Sequence, residues 1–388
     1  MAETPRSHRR QFLQGFSLRD AVRHRLEKVA EGVEREIDQQ EAERAAEGTD
    51  PGANHARDGR SDSTPVAPEN APPSYLLEVS RSAMACEFCV QLNAGQSAEA
   101  TDVALQALDL LEPLEQQLSV YRPDSELSRV NARAGLGWVP LPAELFSLLQ
   151  RASELSAATS GAFDIMAGPL VKAWGFYRRE GCVPDDDALA TARACSGPSM
   201  LELNPQSLSV RLAQRGAEIN PGAIGKGYAL DRCAAYLRRH GVTDFLIHGG
   251  RSSILASGHR WQAAGQHGWR VAIRHPLRPD RPAVELRLCD QSLSTSGCGT
   301  QYFYHQGVRY GHILDPRSGR PAQGILSASA VTPDAATADA LSTAFYVLGV
   351  EATAEYCQQH PEVGAVLMIP GPRAGEIQLE TFGPVQLI

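Results

Sequence analysis

Residues 220–231 read NPGAIGKGYALD, a glycine-rich turn with one lysine that runs straight into a helical pattern. A Walker-type phosphate loop needs four residues between its first glycine and a Gly-Lys pair, then Ser or Thr. Counting back from Gly225-Lys226 puts Asn220 where that glycine would stand, and Gly227 replaces the hydroxyl. The stretch is therefore no Walker loop. A glycine-rich turn at a helix N-terminus still offers free N–H groups and a positive dipole end to an anion. The other reading is a plain strand-to-helix turn carrying a solvated Lys226, and this stretch alone leaves both open.

Outward from this turn, the helical pattern over 226–241 closes at Gly241, a residue suited to a C-terminal cap. Further helical runs occupy 97–119, 143–159, 337–349 and 351–361, and strand-like runs occupy 75–92, 244–250, 269–275, 285–297 and 327–333. Hairpins and helices interleave without a steady βαβ period, which predicts an α+β fold rather than a doubly wound sheet.

The bulk composition removes several classes of function. The chain has 388 residues, 21% charged and 43% hydrophobic, enough for a large core in one or two domains. A formal net charge of −8 and the lack of a Lys/Arg stripe argue against nucleic acid. No run of about 18 apolar residues exists to span a membrane. Eight cysteines in such a length make no disulfide scaffold. Cys86 and Cys89 form a CxxC, but it lies in an apolar strand-like run, where residues three apart face opposite ways. The expectation is buried, reduced thiols rather than a redox or zinc site.

Three regions are expected. Residues 1–48 form an N-terminal segment whose apolar residues, Leu18, Val22, Leu26, Val29, Val33 and Ile37, recur at helical spacing. Residues 49–73 are rich in Pro, Gly, Ser and Asp and read as a flexible linker; residues 74–388 form the folded body. The RRQFL run (9–13) imitates a twin-arginine export signal, yet charged residues follow where an apolar stretch is required. With no lipobox cysteine near the start, a cytoplasmic location is expected.

Three polar constellations remain. Asp164 sits among apolar residues in SGAFDIMAGPLVKAWGF (160–176). His312 and Asp315 bracket two aliphatics in RYGHILDPRSGRP (309–321), where the histidine is either a base or a hydrogen-bonded structural residue. Asp339, Ser342 and Thr343 share one helical face at spacings i, i+3 and i+4. Three oxygens without histidine or thiolate suit a hard cation such as magnesium. The alternative is a helix N-terminal turn with capping hydroxyls.

Taken in order, MACEF (84–88), LSVYRPDSELSRVN (118–131), SGAFDIMAGPLVKAWGF, INPGAIGKGYALD, SGCGTQYF (296–303), YGHILDPRSGRP and ADALSTAFYVLG resemble the FAD:protein FMN transferase (ApbE) family. The resemblance spans about 76–382. It implies a T-fold-related α+β body with mixed sheets and packed helices. It also implies an Mg²⁺-dependent flavinyltransferase that moves FMN from FAD onto a threonine, or serine, of a target flavoprotein and releases AMP. Carried over by position, Met84, Tyr121, Ala162, Phe163, Asp164, Asn220, Lys226 and Ile313 would contact FAD. Tyr121 is the candidate to stack on the flavin and Lys226 to meet the pyrophosphate. Ala223 (through its carbonyl), Asp339, Ser342 and Thr343 would hold Mg²⁺, and His312 would be the catalytic base.

Attack on a phosphoryl centre is mainly positioning and charge stabilisation. A threonine hydroxyl is a poor nucleophile until a base takes its proton. The chain departs from the family pattern at Asn220, usually Asp, at Arg251-Ser252-Ser253, where a polar or acidic residue commonly follows the glycine pair, and at Cys298, often acidic. Those departures keep two other readings alive: a Mg²⁺-dependent FAD pyrophosphatase giving FMN and AMP, and a non-catalytic FAD-binding protein.

Overall fold

The computed structural model describes residues 75–261, 267–297, 299, 301–373 and 375–388. The chain divides into Met1–Pro68 and Glu69–Ile388; the expected N-terminal helix and the whole of the expected linker lie outside the described residues.

The body is organised on one eight-stranded sheet: β1 (Leu76–Ala83), β2 (Cys86–Asn93), β3 (Phe245–Gly249), β4 (Ser253–Ser257), β5 (Gln291–Gly297), β6 (Ser327–Thr332), β7 (Gly364–Pro370) and β8 (Ile377–Phe382). Every neighbouring pair is antiparallel, and the strands lie side by side in chain order. The sheet is thus a meander whose connections have been enlarged. Between β2 and β3 lie α1 (Ala100–Asp109), α2 (Leu111–Leu118), α3 (Glu126–Ala132), α4 (Ala143–Ala158), α5 (Gly168–Ala173), α6 (Asp186–Ala194) and α7 (Gly225–Arg239). The hairpin Trp269–His275/Arg278–Leu288 separates β4 from β5, the hairpin Tyr302–His305/Val308–Gly311 follows β5, and α8 (Ala335–Gln359) joins β6 to β7. The mixture of sheets and helices is the expected α+β class.

Alternation along the strands supplies two apolar faces. Phe88, Val90 and Leu92 of β2 pack on Ala104 and Leu108 of α1 and on Leu230, Cys233 and Leu237 of α7. On the opposite face, Leu246, Ala256, Leu293, Val331 and Met368 are covered by Trp269, Val271, Ile273 and Leu286 of the long hairpin. Ala328, Ala330 and Leu367 pack with Leu341 and Phe345 of α8 and with Leu145 and Leu149 of α4. Burying each of the larger side chains contributes on the order of 1.5–3 kcal/mol.

Several boundaries differ from the sequence expectation for identifiable reasons. The run 75–92 is a hairpin, turning through Met84 (φ 49) and Ala85 (φ 59), two left-handed residues without a glycine to mark them. The run 285–297 turns at Asp290 (φ 50), one of the few side chains that tolerates that region. Helix 97–119 breaks into α1 and α2. Gly349 (φ 80) interrupts α8 where the sequence predicts two helices, and Gly241 (φ 80) closes α7 as expected. Cys89 is buried but Cys86 is only half-buried, and Cys182 and Cys289 are exposed, so the thiols are not uniformly interior.

Candidate active site

Most of the residues singled out above converge on one cleft of ≈ 430 Å³. Tyr121, Ala162, Phe163, Asp164, Asn220, Ala223, Lys226, His312, Ile313, Asp339 and Thr343 all line it. Met84 instead lines an adjoining cleft of ≈ 520 Å³, which shares Tyr121, Asn220 and Lys226 with the first. Ser342 is fully buried. Its hydroxyl donates to the Asp339 carbonyl at 2.9 Å and lies 3.0 Å from Ser296 Oγ.

The electrostatic centre is Asp339, 4% exposed. Its Oδ1 accepts from Lys226 Nζ at 3.0 Å, Ser294 Oγ at 3.1 Å and Ser253 Oγ at 3.2 Å. Its Oδ2 accepts from Lys226 Nζ at 3.2 Å and from the Gly227 N–H at 3.1 Å. A buried carboxylate survives only when paired and hydrogen-bonded, and this one is both. Lys226 was expected to face an anionic ligand and Asp339 a metal; in the structure they face each other. The cap reading of Asp339, Ser342 and Thr343 fails. The N-terminus of α8 is capped by Asp334, which accepts from Thr337 N, and by Asp231, which accepts from Ala335 N and Ala336 N, all at 2.8 Å.

His312 ends the connection from the aromatic hairpin. Its Nδ1 lies 3.0 Å from the Gln301 carbonyl, and a carbonyl only accepts, so Nδ1 carries the hydrogen and Nε2 keeps its lone pair. Burial lowers its pKa below the ordinary histidine value; the Gln301 hydrogen bond opposes that and the Lys226 charge reinforces it. Asp164 is pushed up to about 6 by burial, although its Oδ1 accepts from Met166 N at 2.8 Å. Its other oxygen is buried without a protein partner.

Tyr121 is 64% exposed and stacks on Tyr177, with ring centroids 4.7 Å apart. Tyr177 is in turn held by a hydrogen bond to the Val120 carbonyl at 2.8 Å and lies under Lys172 at 5.0 Å. One face of Tyr121 is therefore supported by Tyr177. Glu115 of α2 accepts from Met84 N at 3.1 Å, fixing the left-handed turn at the cleft edge. Asn220 folds onto its own loop, accepting from Gly222 N at 2.9 Å.

Sequence reasoning missed Ser253, Ser294, Ser296, Gln301, Glu115, Tyr177 and Asp231. Ser294 and Ser296 carried a signal: in LSTSG they alternate with Leu293 and Thr295, so both hydroxyls fall on one strand face. Among the described residues, no cluster of three or more His, Cys, Asp or Glu could hold a metal ion. A hard cation here would depend on hydroxyl and carbonyl oxygens around Asp339.

An aromatic shelf, a cation–carboxylate pair at a helix start and an imidazole with one free nitrogen share this cleft within an α+β body. The chain belongs to the ApbE family, whose pattern matches residues 84–367. It is 34% identical over 289 residues to the FAD:protein FMN transferase of Treponema pallidum (strain Nichols), covering 71% of this chain and 80% of that protein. It is 32% identical over 269 residues to the FAD:protein FMN transferase of Klebsiella pneumoniae (strain 342), covering 69% and 82%. The ApbE crystal structure from Thermotoga maritima superposes with a TM-score of 0.70 at 26% identity, covering 79% of this chain and 97% of that one. The flavin transferase ApbE from Vibrio cholerae does so with a TM-score of 0.69 at 26% identity, covering 80% and 98%.

Proposed function

We propose that this chain transfers FMN from FAD to a threonine or serine hydroxyl of a target flavoprotein, releasing AMP. The observation that carries the reading is His312: a buried imidazole whose Gln301 contact leaves Nε2 basic, on the wall that also holds Lys226 and Asp339. An acceptor hydroxyl needs such a base to become a nucleophile, and burial favours the neutral, proton-accepting form of the ring. FAD would lie with its flavin on the exposed face of Tyr121 and its pyrophosphate near Lys226, at the start of α7, where N–H groups and the helix dipole favour an anion. Phe163 and Ile313 supply apolar wall, and Asp164 offers its free oxygen to a polar group of the ligand.

Mg²⁺ fits the donors present. Ala223, Asp339 and Thr343 line the same cleft, Ser342 and Thr343 are joined through Ser296 Oγ at 3.0 Å each, and Asp339 already holds a cation, the Lys226 ammonium. Carboxylate, hydroxyl and carbonyl oxygens are the ligands a hard divalent ion takes. When bound, it would neutralise charge on the phosphoryl oxygens. Lys226 would then be free to turn from Asp339 toward the pyrophosphate.

No helix of the described residues is long and apolar enough to cross a membrane. The charged run after the twin arginines supports a cytoplasmic enzyme. The deciding experiment is incubation with FAD, Mg²⁺ and a candidate acceptor protein, read by intact mass. Gain of one FMN supports transfer. Unmodified acceptor with AMP and free FMN in solution would identify a hydrolase instead.

A further inference from the structure

The starts of α7 and α8 are each tied to a carboxylate of the other helix. Asp339 of α8 accepts from the Gly227 N–H in the first turn of α7. Asp231 of α7 accepts from Ala335 N through Oδ1 and from Ala336 N through Oδ2, both at 2.8 Å. Gly227 lets the helices meet backbone to backbone, since a Cβ there would stand 2.0 Å from the Ala335 carbonyl oxygen. The first N–H groups of a helix have no partner within it. In α8, Asp231 satisfies two of them and Asp334 satisfies Thr337. Asp231 itself does not line the cleft.

We propose that Asp231 is a positioning residue: by gripping the first turn of α8 it sets where Asp339, one turn further on, stands in the cleft. Residues three and four apart lie on one helical face, so Ala335 and Ala336 are the backbone points from which Asp339 is aimed. A shift of that turn moves the carboxylate away from Lys226, Ser253 and Ser294 together. The inference rests on the FMN-transfer reading in one respect, that Asp339 serves the FAD and Mg²⁺ site. The groups that act on Asp231 are Asp334 at the same helix end and Arg238 further along α7; burial is the larger influence and raises its carboxyl to about 7.

The test uses the full chain and two variants, Asp231→Asn and Asp334→Asn. Asparagine turns one of the two acceptors into a donor facing an N–H, whereas losing Asp334 leaves Asp231 in place. Mg²⁺ alone and FAD alone are titrated calorimetrically, and hydrogen exchange is followed over residues 334–342. Asp231→Asn is expected to weaken Mg²⁺ binding about tenfold and to speed exchange in that segment by a similar factor, the size of a lost helix cap. Exchange in β5 to β7 should be unchanged, and Asp334→Asn should leave Mg²⁺ affinity within about threefold.

A folded Asp231→Asn chain with wild-type Mg²⁺ affinity overturns the proposal, even if it melts earlier, because only a structural role would then remain. Should that variant not fold, the wild type decides. Protection of the Ala335 and Ala336 amides, corrected for intrinsic rate, must fall between pH 8 and pH 6 as the carboxyl of about 7 takes its proton. Flat protection overturns the grip. Wild-type chain that binds neither FAD nor Mg²⁺ overturns the FMN-transfer reading, while the exchange arm still decides whether Asp231 holds α8.

Discussion

Lys226 Nζ lies 3.0 Å from Asp339 Oδ1, joining the first turn of α7 to the second turn of α8 across 113 residues of chain. The Asp339 side chain is 5% exposed and that of Lys226 26%, so this pair sits where removing one partner strands a buried charge. Lys226→Met should therefore destabilise the fold by roughly 2–4 kcal/mol, toward the low end of buried-pair losses because the lysine is partly solvated. Asp339→Asn in the same chain should recover part of that loss. Denaturant unfolding of the two single variants and the double gives the coupling directly. Additive effects would mean that the pair contributes nothing of its own.

Gly227 makes that pairing sterically possible. An alanine Cβ would be 2.0 Å from the Ala335 carbonyl oxygen and 2.8 Å from Ala336 Cα, both backbone atoms that cannot rotate away. Gly227→Ala must push α7 and α8 apart, although alanine is the better helix former by about 1 kcal/mol. The expected outcome is a net loss of about 1–3 kcal/mol, the usual cost of overpacking. Equal or higher stability in a thermal melt would show that the two helix starts do not meet closely in solution.

What could be read from the sequence divides along local and long-range lines. The turn at 220–231, its helix, the Gly241 cap and the break at Gly349 follow from residues within a few positions of one another, and all appear in the structure. The resemblance brought Tyr121, Asp164, His312 and Asp339 to one cleft. It did not reveal that Lys226 and Asp339 would share a hydrogen bond, because no local pattern encodes a pairing across the chain. Nor could it place Ser253 and Ser294 on the same carboxylate, which depends on β4 and β5 being neighbours. The Met84-Ala85 turn was invisible for another reason. Left-handed φ without glycine is costly, and here Glu115, from a helix 31 residues on, holds it.

Tyr121 offers a separate test of ligand placement. Its ring is supported on one side by Tyr177 at 4.7 Å and is 64% exposed, so a flavin can add to the open face. Aromatic stacking is worth about 0.5–1.5 kcal/mol beyond area burial. Tyr121→Ala should weaken FAD binding several-fold or more, and Tyr177→Ala by a smaller factor, through loss of support. Fluorescence titration giving equal affinities in all three proteins would put the flavin elsewhere.

Asp339 and the metal can be separated from FAD docking. Asp339→Ala removes the only carboxylate of the proposed Mg²⁺ donors, so transfer should fall by two orders of magnitude or more, on the scale of lost electrostatic stabilisation. FAD affinity should change much less, since Tyr121 and the turn at 220–225 remain. Undiminished turnover in this variant, or in wild type with EDTA, would sink the metal assignment.

His312 yields the sharpest prediction, because a base and a structural histidine respond differently to pH. Burial holds its pKa below the ordinary value of 6.5. If Nε2 takes the acceptor proton, the single-turnover rate should fall as the pH drops, with a midpoint lower than that of an unperturbed imidazole. The same shift has a consequence for stability. Below about pH 6.5 the unfolded imidazole binds a proton before the folded one does, so stability falls as pH drops until the folded ring is also protonated. His312→Asn should remove that dependence and lower the chemical step by about 10²–10⁴-fold, while leaving FAD affinity nearly intact. Asparagine Nδ2 can still donate to the Gln301 carbonyl, so the local contact 3.0 Å from His312 Nδ1 is the one feature the variant can retain. A stable variant that transfers FMN at the wild-type rate would remove His312 from the mechanism. One that loses stability but turns over normally in its folded fraction would make the histidine structural.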